Sequence, residues 1–204
     1  MPFLLRVELP DVPGSLGRLA SAIGEAGGDI GAIEIVEKLH QGVAVDDVLL
    51  ETAPGAMPDS IVSACNALDG VRVLWISRYA AGGNVFLDLE AIEDLTAHPA
   101  EAPDRLVDLL PVVFRSDWGA RVHRDTGVVH RTESAPREVP WAKLESPERL
   151  AVDDDVNLFA AARLGDDEIL VIGRRGGPDF LDSELARLGH LAAMAISISN
   201  NATP

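Results

Sequence analysis

Near the start of the chain, the segment Pro10-Asp11-Val12-Pro13-Gly14 separates two stretches of different hydrophobic spacing. Before it, Phe3 to Leu9 is apolar with interspersed charge, as in a β-strand. After it, Leu16, Leu19, Ala20, Ile23 and Ala26 recur at helical spacing. Two prolines and a glycine in so short a run mark a tight turn. A strand ends here, the chain turns tightly and a helix begins at once, which points to a fold that mixes strands with helices.

The residues up to Tyr79 continue the pattern. Gly27-Gly28 stops the helix, and Asp29 to Leu39 reads as a strand. Gln41-Gly42 makes a short turn into a second strand, Val43 to Thr52, which pairs with the first as a hairpin. Pro54-Gly55 breaks the chain. A helix over Met57 to Leu68 presents Ile61, Ala64, Cys65 and Leu68 on one face, and Val71 to Tyr79 is a last strand. The order β-α-β-β-α-β predicts a ferredoxin-like α+β domain over residues 1–80. Ala80-Ala81-Gly82-Gly83-Asn84 is small and uncharged, and residues 81–85 read as a linker.

Residues 86–204 read as a second domain. Leu87 to Ala97 and Pro103 to Phe114 look helical. Trp118 to His123, Val128 to Thr132, Val156 to Leu164 and Glu168 to Arg174 look like strands. Residues 133–155 read as mostly loop, and a long helix follows from about Asp182 to Ser199. Helices at both ends with antiparallel strands between them make a second α+β domain.

The first turn carries the chemistry. The opening N–H groups of a helix have no intrahelical acceptor and lie at the positive end of its dipole. A carboxylate placed there gains several hydrogen bonds. Gly14 has no Cβ and lets a ligand approach the backbone, Pro13 stiffens the turn, and Asp11 can accept from an ammonium group. An α-amino acid carries both charged groups a few ångströms apart. The alternative for this motif is a bare turn and helix start, with Asp11 accepting from nearby main-chain N–H groups.

The motif D-x-P-G-x-L, here Asp11, Pro13, Gly14, Ser15 and Leu16, resembles that of the ACT domain family. So do Gly27-Gly28-Asp29-Ile30 at the second strand and the element order over residues 3–79. Arg6-Val7-Glu8-Leu9 adds a likeness to the ACT domain of bacterial malic enzymes. The resemblance implies a regulatory homodimer that binds an amino acid or related small metabolite near the first turn, often between two such domains. The implied ligand-binding residues are Asp11, Pro13, Gly14, Ser15, Leu16, Asp29 and Ile30. Many amino-acid-binding members have Asn where this chain has Asp29, and an extra carboxylate there repels an acidic ligand. Residues 86–199 resemble a GAF domain through the strand Ile169 to Gly173 and the run Gly177-Pro178-Asp179-Phe180-Leu181, which leads into a Leu- and Ala-rich helix. That likeness implies small-ligand binding over an antiparallel sheet, or pairing through terminal helices, with residues 133–155 over any pocket.

The chain carries 17 basic and 33 acidic residues, a formal charge of −16 shared by both halves. Direct binding to nucleic acid or to an anionic membrane is therefore disfavoured. The apolar runs predict no membrane span, and Cys65, the sole cysteine, suits a reducing compartment, so a cytoplasmic protein is expected. Neither a cofactor nor a metal is expected. His123 and His130 facing each other across a hairpin are a weak candidate site, and Asp153-Asp154-Asp155 reads as a solvated acidic turn. Arg174-Arg175-Gly176-Gly177 is a basic loop whose default reading is a surface turn. The function expected is a non-enzymatic sensor acting through a partner effector protein. The alternatives are a ligand-free structural adaptor and a small enzyme using the second domain, with His123, His130 or Arg174 taking part.

Overall fold

The computed structural model describes residues 2–39, 42–78, 84–152, 154 and 156–202, and divides the chain into two units, Met1–Ala81 and Gly82–Pro204. In the first unit, β1 (Pro2–Pro10), β2 (Gly28–Leu39), β3 (Val43–Thr52) and β4 (Arg72–Arg78) form an antiparallel sheet in the order β2-β3-β1-β4. Helix α1 (Ser15–Glu25) connects β1 to β2, and α2 (Pro58–Asn66) connects β3 to β4. Period-two alternation decides which face of the sheet each side chain takes. Phe3, Leu5, Val7 and Leu9 of β1 join Val48 and Leu50 of β3 in one core, closed by Leu19 and Ile23 of α1 and Ile61 and Cys65 of α2. Leu16 lies on the rim at 37% exposure, outside the helical stripe that its spacing suggested.

The paired glycines after α1 have separate roles. Gly27, at φ 87°, takes the left-handed conformation that ends the helix. A Cβ on Gly28 would sit 2.6 Å from Ile23 Cγ2, so β2 can begin directly beneath α1 only with glycine there. The Gln41-Gly42 turn and the residues 80–83 of the expected linker lie partly or wholly outside the described residues. Asn84 and residue 85, read as linker, open the next helix.

The second unit runs α3 (Asn84–Ala97), a 3-10 turn (Pro99–Glu101), α4 (Ala102–Val113), β5 (Trp118–His123), β6 (Gly127–Arg131), β7 (Glu148–Leu150), β8 (Asn157–Arg163), β9 (Glu168–Arg175) and α5 (Asp182–Ala202). Its five strands are antiparallel in the order β6-β5-β9-β8-β7. Both faces of this sheet are covered. Ala160, Ala162, Leu170 and Ile172 pack against Leu106, Leu110, Leu188 and Leu191 of the helices. Ala161, Ile169 and Val171 pack, with Trp118 and Phe159, beneath Ala135, Val139 and Leu144 of the long loop. Coverage on two sides explains why β8 and β9 read as continuous apolar runs. The loop contributes a strand as well, β7, which is too short to show a period.

Arg174 is only 2% exposed, which corrects the reading of residues 174–177 as a surface turn. Its Nη2 donates to Phe114 O and to Glu184 Oε1, each at 2.9 Å, and its Nη1 donates to Pro178 O at 3.0 Å. The guanidinium lies 4.2 Å from the ring centre of Phe180. Glu184 Oε2 accepts from Leu181 N at 2.8 Å, which is the helix-start half of a capping box. One buried ion pair thus ties the end of β9 to the start of α5. A pair so deeply buried is costly to break from one side, because the remaining charge is left in the interior. Arg174→Ala and Glu184→Ala are each expected to lower stability by about 3–5 kcal/mol. Chemical denaturation of the full chain, followed by far-ultraviolet circular dichroism, measures that loss.

Candidate functional site

The turn after β1 is held from within the main chain. Asp11 N donates to Gly42 O at 2.8 Å, Val12 N to Pro10 O at 2.9 Å, and Ser15 N to Val12 O at 3.2 Å. Gly14, at φ 90° and ψ −10°, is the residue that turns the chain into α1, and no side chain caps the helix there. The remaining first-turn N–H groups therefore face outward at the positive end of the helix. They border a cleft of about 300 Å³ lined by Leu9 to Leu16 together with Ile35, Ala44 and Asp46. That volume is at the small end of the range for metabolite sites.

The cleft joins the positive end of a helix to two acids. At the helix start, Arg18 Nη2 donates to Ser15 Oγ at 3.1 Å, which bends its guanidinium back toward that end. A Cβ built on Gly14 would lie 3.9 Å from Arg18 Nη1. The two acids are Asp11 and Asp46. Asp11 Oδ2 accepts from Lys38 Nζ at 2.9 Å, with both side chains substantially exposed. Asp46 is buried, at 1% exposure, and its Oδ1 has no hydrogen-bond partner. The adjacent Asp47 holds Arg6 through two hydrogen bonds of 2.7 and 2.9 Å, so that buried guanidinium is engaged elsewhere. Burial, reinforced by the charges of Asp11 and Asp47 and partly offset by Lys38, pushes the Asp46 carboxyl up to about 6.

Asp11, Pro13, Gly14, Ser15 and Leu16 thus come together around one cleft. Asp29 and Ile30 do not join them. They sit at the opening of β2, paired with Glu51 and Leu50, whereas the cleft meets that strand at Ile35. At about 3.3 Å per residue, five or six positions along a strand are roughly 15–20 Å. The sequence reading missed Arg18, Ile35, Lys38 and Asp46. The phase of β3 held a usable signal for one of them, since Asp46 lies an even number of residues from Val48 and Leu50, which face the core.

A second cleft, of about 500 Å³, lies in the other unit between Trp118, Ser134, Asn157, Phe159 and Arg175. Its acids already accept hydrogen bonds within the unit. Asp117 Oδ2 accepts from Arg175 N. Asp154 accepts from the Asn157 side chain and from the main-chain N–H groups of Val156 and Asn157, and these bonds hold its carboxyl below its ordinary value. Residues 153 and 155 of the acidic turn lie outside the described residues. Among those described, no three His, Cys, Asp or Glu side chains are grouped to hold a metal ion. His130 is paired with Arg121 in the hairpin and its Nε2 lies 2.9 Å from Asp108 Oδ1, while His123 pairs with Gly127, so the two histidines do not face each other. No helix among the described residues is long and apolar enough to cross a membrane.

No family model matches the chain. NAD-dependent malic enzyme 1 of Bacillus subtilis (strain 168) is 36% identical over 74 residues, covering 36% of this chain and 17% of that enzyme. The chain thus spans about a sixth of the length of this curated relative. Among solved structures, the GAF domain of an Acinetobacter phosphoenolpyruvate-protein phosphotransferase matches with a TM-score of 0.46 and 12% identity, over 60% of this chain and 96% of that one. The GAF domain of a proposed sensor histidine kinase from Pseudomonas syringae pv. tomato gives a TM-score of 0.45 and 14% identity, over 58% and 86%.

Asp46 makes stability depend on pH in a direction opposite to that of a salt-bridged acid. The folded chain keeps this proton to a higher pH than the unfolded chain does, so stability falls as pH rises from about 4 to about 6. Above that window the ionised carboxylate costs at most about 3 kcal/mol. Asp46→Asn is expected to match the parent chain near pH 4 and to become progressively more stable than it up to pH 7. Urea unfolding curves across that range measure the difference.

Proposed function

We propose that this chain is a non-enzymatic regulatory protein whose first unit is an ACT-type domain that binds an α-amino acid, or a closely related metabolite, in the cleft beside Gly14. The observation that carries the reading is a small cleft that brings the uncapped start of α1, where Arg18 bonds to Ser15, together with the carboxyls of Asp11 and Asp46. A zwitterion answers both sides at once: its carboxylate meets the helix start and its ammonium meets the acids. The element order β-α-β-β-α-β and the strand order β2-β3-β1-β4 support the ACT assignment, being the split β-α-β arrangement of ferredoxin-like domains.

In this reading the second unit is a GAF-like domain. Its antiparallel sheet, with helices on one face and a long loop on the other, supports that role, as does the Gly-Pro-Asp-Phe turn whose Phe180 is buried ahead of α5. The protein acts as a cytoplasmic homodimer and passes its signal to an effector protein. The stretch shared with the malic enzyme is a small part of that protein, so no catalytic step is taken from it. Signalling needs a ligand that favours one of two states by its own interaction energy.

Thermal unfolding of the full chain with each of the twenty amino acids in turn tests the reading. A ligand at one hundred times its Kd is expected to add about 2.7 kcal/mol. Gly14→Leu is expected to remove that response relative to its own ligand-free baseline, because a leucine side chain fills the approach to the helix start. Silence with all twenty would sink the proposal.

A further inference from the structure

The two acids of the cleft are in different states, and the difference selects among ligands. Asp11 already has a cation, since Lys38 Nζ lies 2.9 Å from its carboxylate. Asp46 is nine-tenths or more buried, borders the cleft and has an oxygen without a partner. Its neighbours in register are apolar, Val7 on β1 and Ile35 on β2. The charged groups that act on it are Asp11 and Lys38 at the cleft, and Asp47 beside it on β3 with its own Arg6. What this arrangement lacks next to Asp46 is one positive charge or donor that arrives from the cleft.

We infer that Asp46 is the specificity-determining residue of the cleft, receiving the ammonium of a neutral amino acid with an aliphatic side chain. The inference rests on the amino-acid reading above and narrows its ligand class. With the ammonium at Asp46 and the carboxylate at the first turn of α1, the side chain lies along the apolar lining of Leu9, Val12, Leu16 and Ile35. A second carboxylate on the ligand meets the field of two acids and is rejected, whereas an aliphatic group gains by leaving water. Asp46 binds the ammonium as a carboxylate and gives up its proton to solvent when it does so. Binding therefore tightens as pH rises through about 6, the value to which burial and the neighbouring acids push this group.

Isothermal titration calorimetry of the full chain at pH 5 and pH 7.5 tests this with four probes: L-leucine, 4-methylpentanoate, which lacks the ammonium, 3-methylbutylamine, which lacks the carboxylate, and L-glutamate. L-Leucine is expected to bind more tightly at pH 7.5. The amine should bind more weakly than L-leucine, and 4-methylpentanoate and L-glutamate about tenfold or more below it, a difference of about 1.4 kcal/mol or more. Asp46→Asn, a near-isosteric change that removes a buried charge and so keeps the fold, is expected to weaken L-leucine about tenfold or more and to abolish the pH dependence. Equal binding of L-leucine by Asp46→Asn, or of 4-methylpentanoate by the parent chain, overturns the role of Asp46 and leaves the amino-acid reading standing. Binding of L-glutamate in preference to L-leucine overturns the ligand class alone. Failure of all twenty amino acids to bind the parent chain overturns this inference together with the reading beneath it.

Discussion

Two adjacent acids occupy the middle of a buried strand, and the guanidinium of Arg6 binds both oxygens of one of them. Neighbouring residues on a strand point to opposite faces, so the same register that brings Asp47 to Arg6 turns Asp46 toward the helices. A one-residue slip of β3 would exchange the two acids and also carry Val48 and Leu50 out of the core. The apolar alternation therefore fixes the register, and the register fixes which carboxyl is left without a hydrogen-bonded cation. The position of α1 follows from the same sheet. Its start lies over the open end of β1, and its far end can descend onto β2 only because Gly28 clears Ile23.

The parts of this arrangement were unequally readable in the sequence. The turn itself was plain, because Pro13 and Gly14 interrupt the chain where the hydrophobic spacing changes, and local chemistry of that kind survives any tertiary context. Arg18 was hidden for a simple reason. On a helix surface a charged residue three positions after Ser15 normally reads as solvated, and the bond between the two depends on a rotamer. Ile35 reaches the cleft, and Lys38 reaches Asp11, through the pairing of β2 with β3, a long-range contact that spacing along the chain cannot convey. Asp29 is the opposite case. Its motif was local, yet the strand that begins with it carries it to the far end of the sheet from the turn.

The second unit shows the same limit in its interior. Arg174 is flanked by Arg175 and two glycines, which is the local composition of an exposed loop. Its burial comes from three separate segments, at Phe114, Pro178 and Glu184, that converge on one guanidinium. The glycine that looked like turn chemistry also serves packing, since a Cβ on Gly177 would lie 2.6 Å from Arg174 Cδ. A close approach of this kind and a turn need the same residue, so composition alone cannot separate them. Trp118 and Gly173 form a similar pair, with the indole lying where a Cβ on the facing residue would be, 2.1 Å away.

A buried carboxyl without a partner destabilises the folded chain whenever it is ionised, and replacing it by an apolar residue would remove that cost. A purely structural position has no reason to carry it. The contrast with Asp47 sharpens the point, because the fold satisfies an acid one residue away with two hydrogen bonds. It is also the cleft-facing acid, of the two, that remains open. If a cation enters from the cleft, the unfavourable energy of ionised Asp46 in the empty protein becomes part of the difference between the bound and free states. In a module that must report occupancy, that difference is the signal.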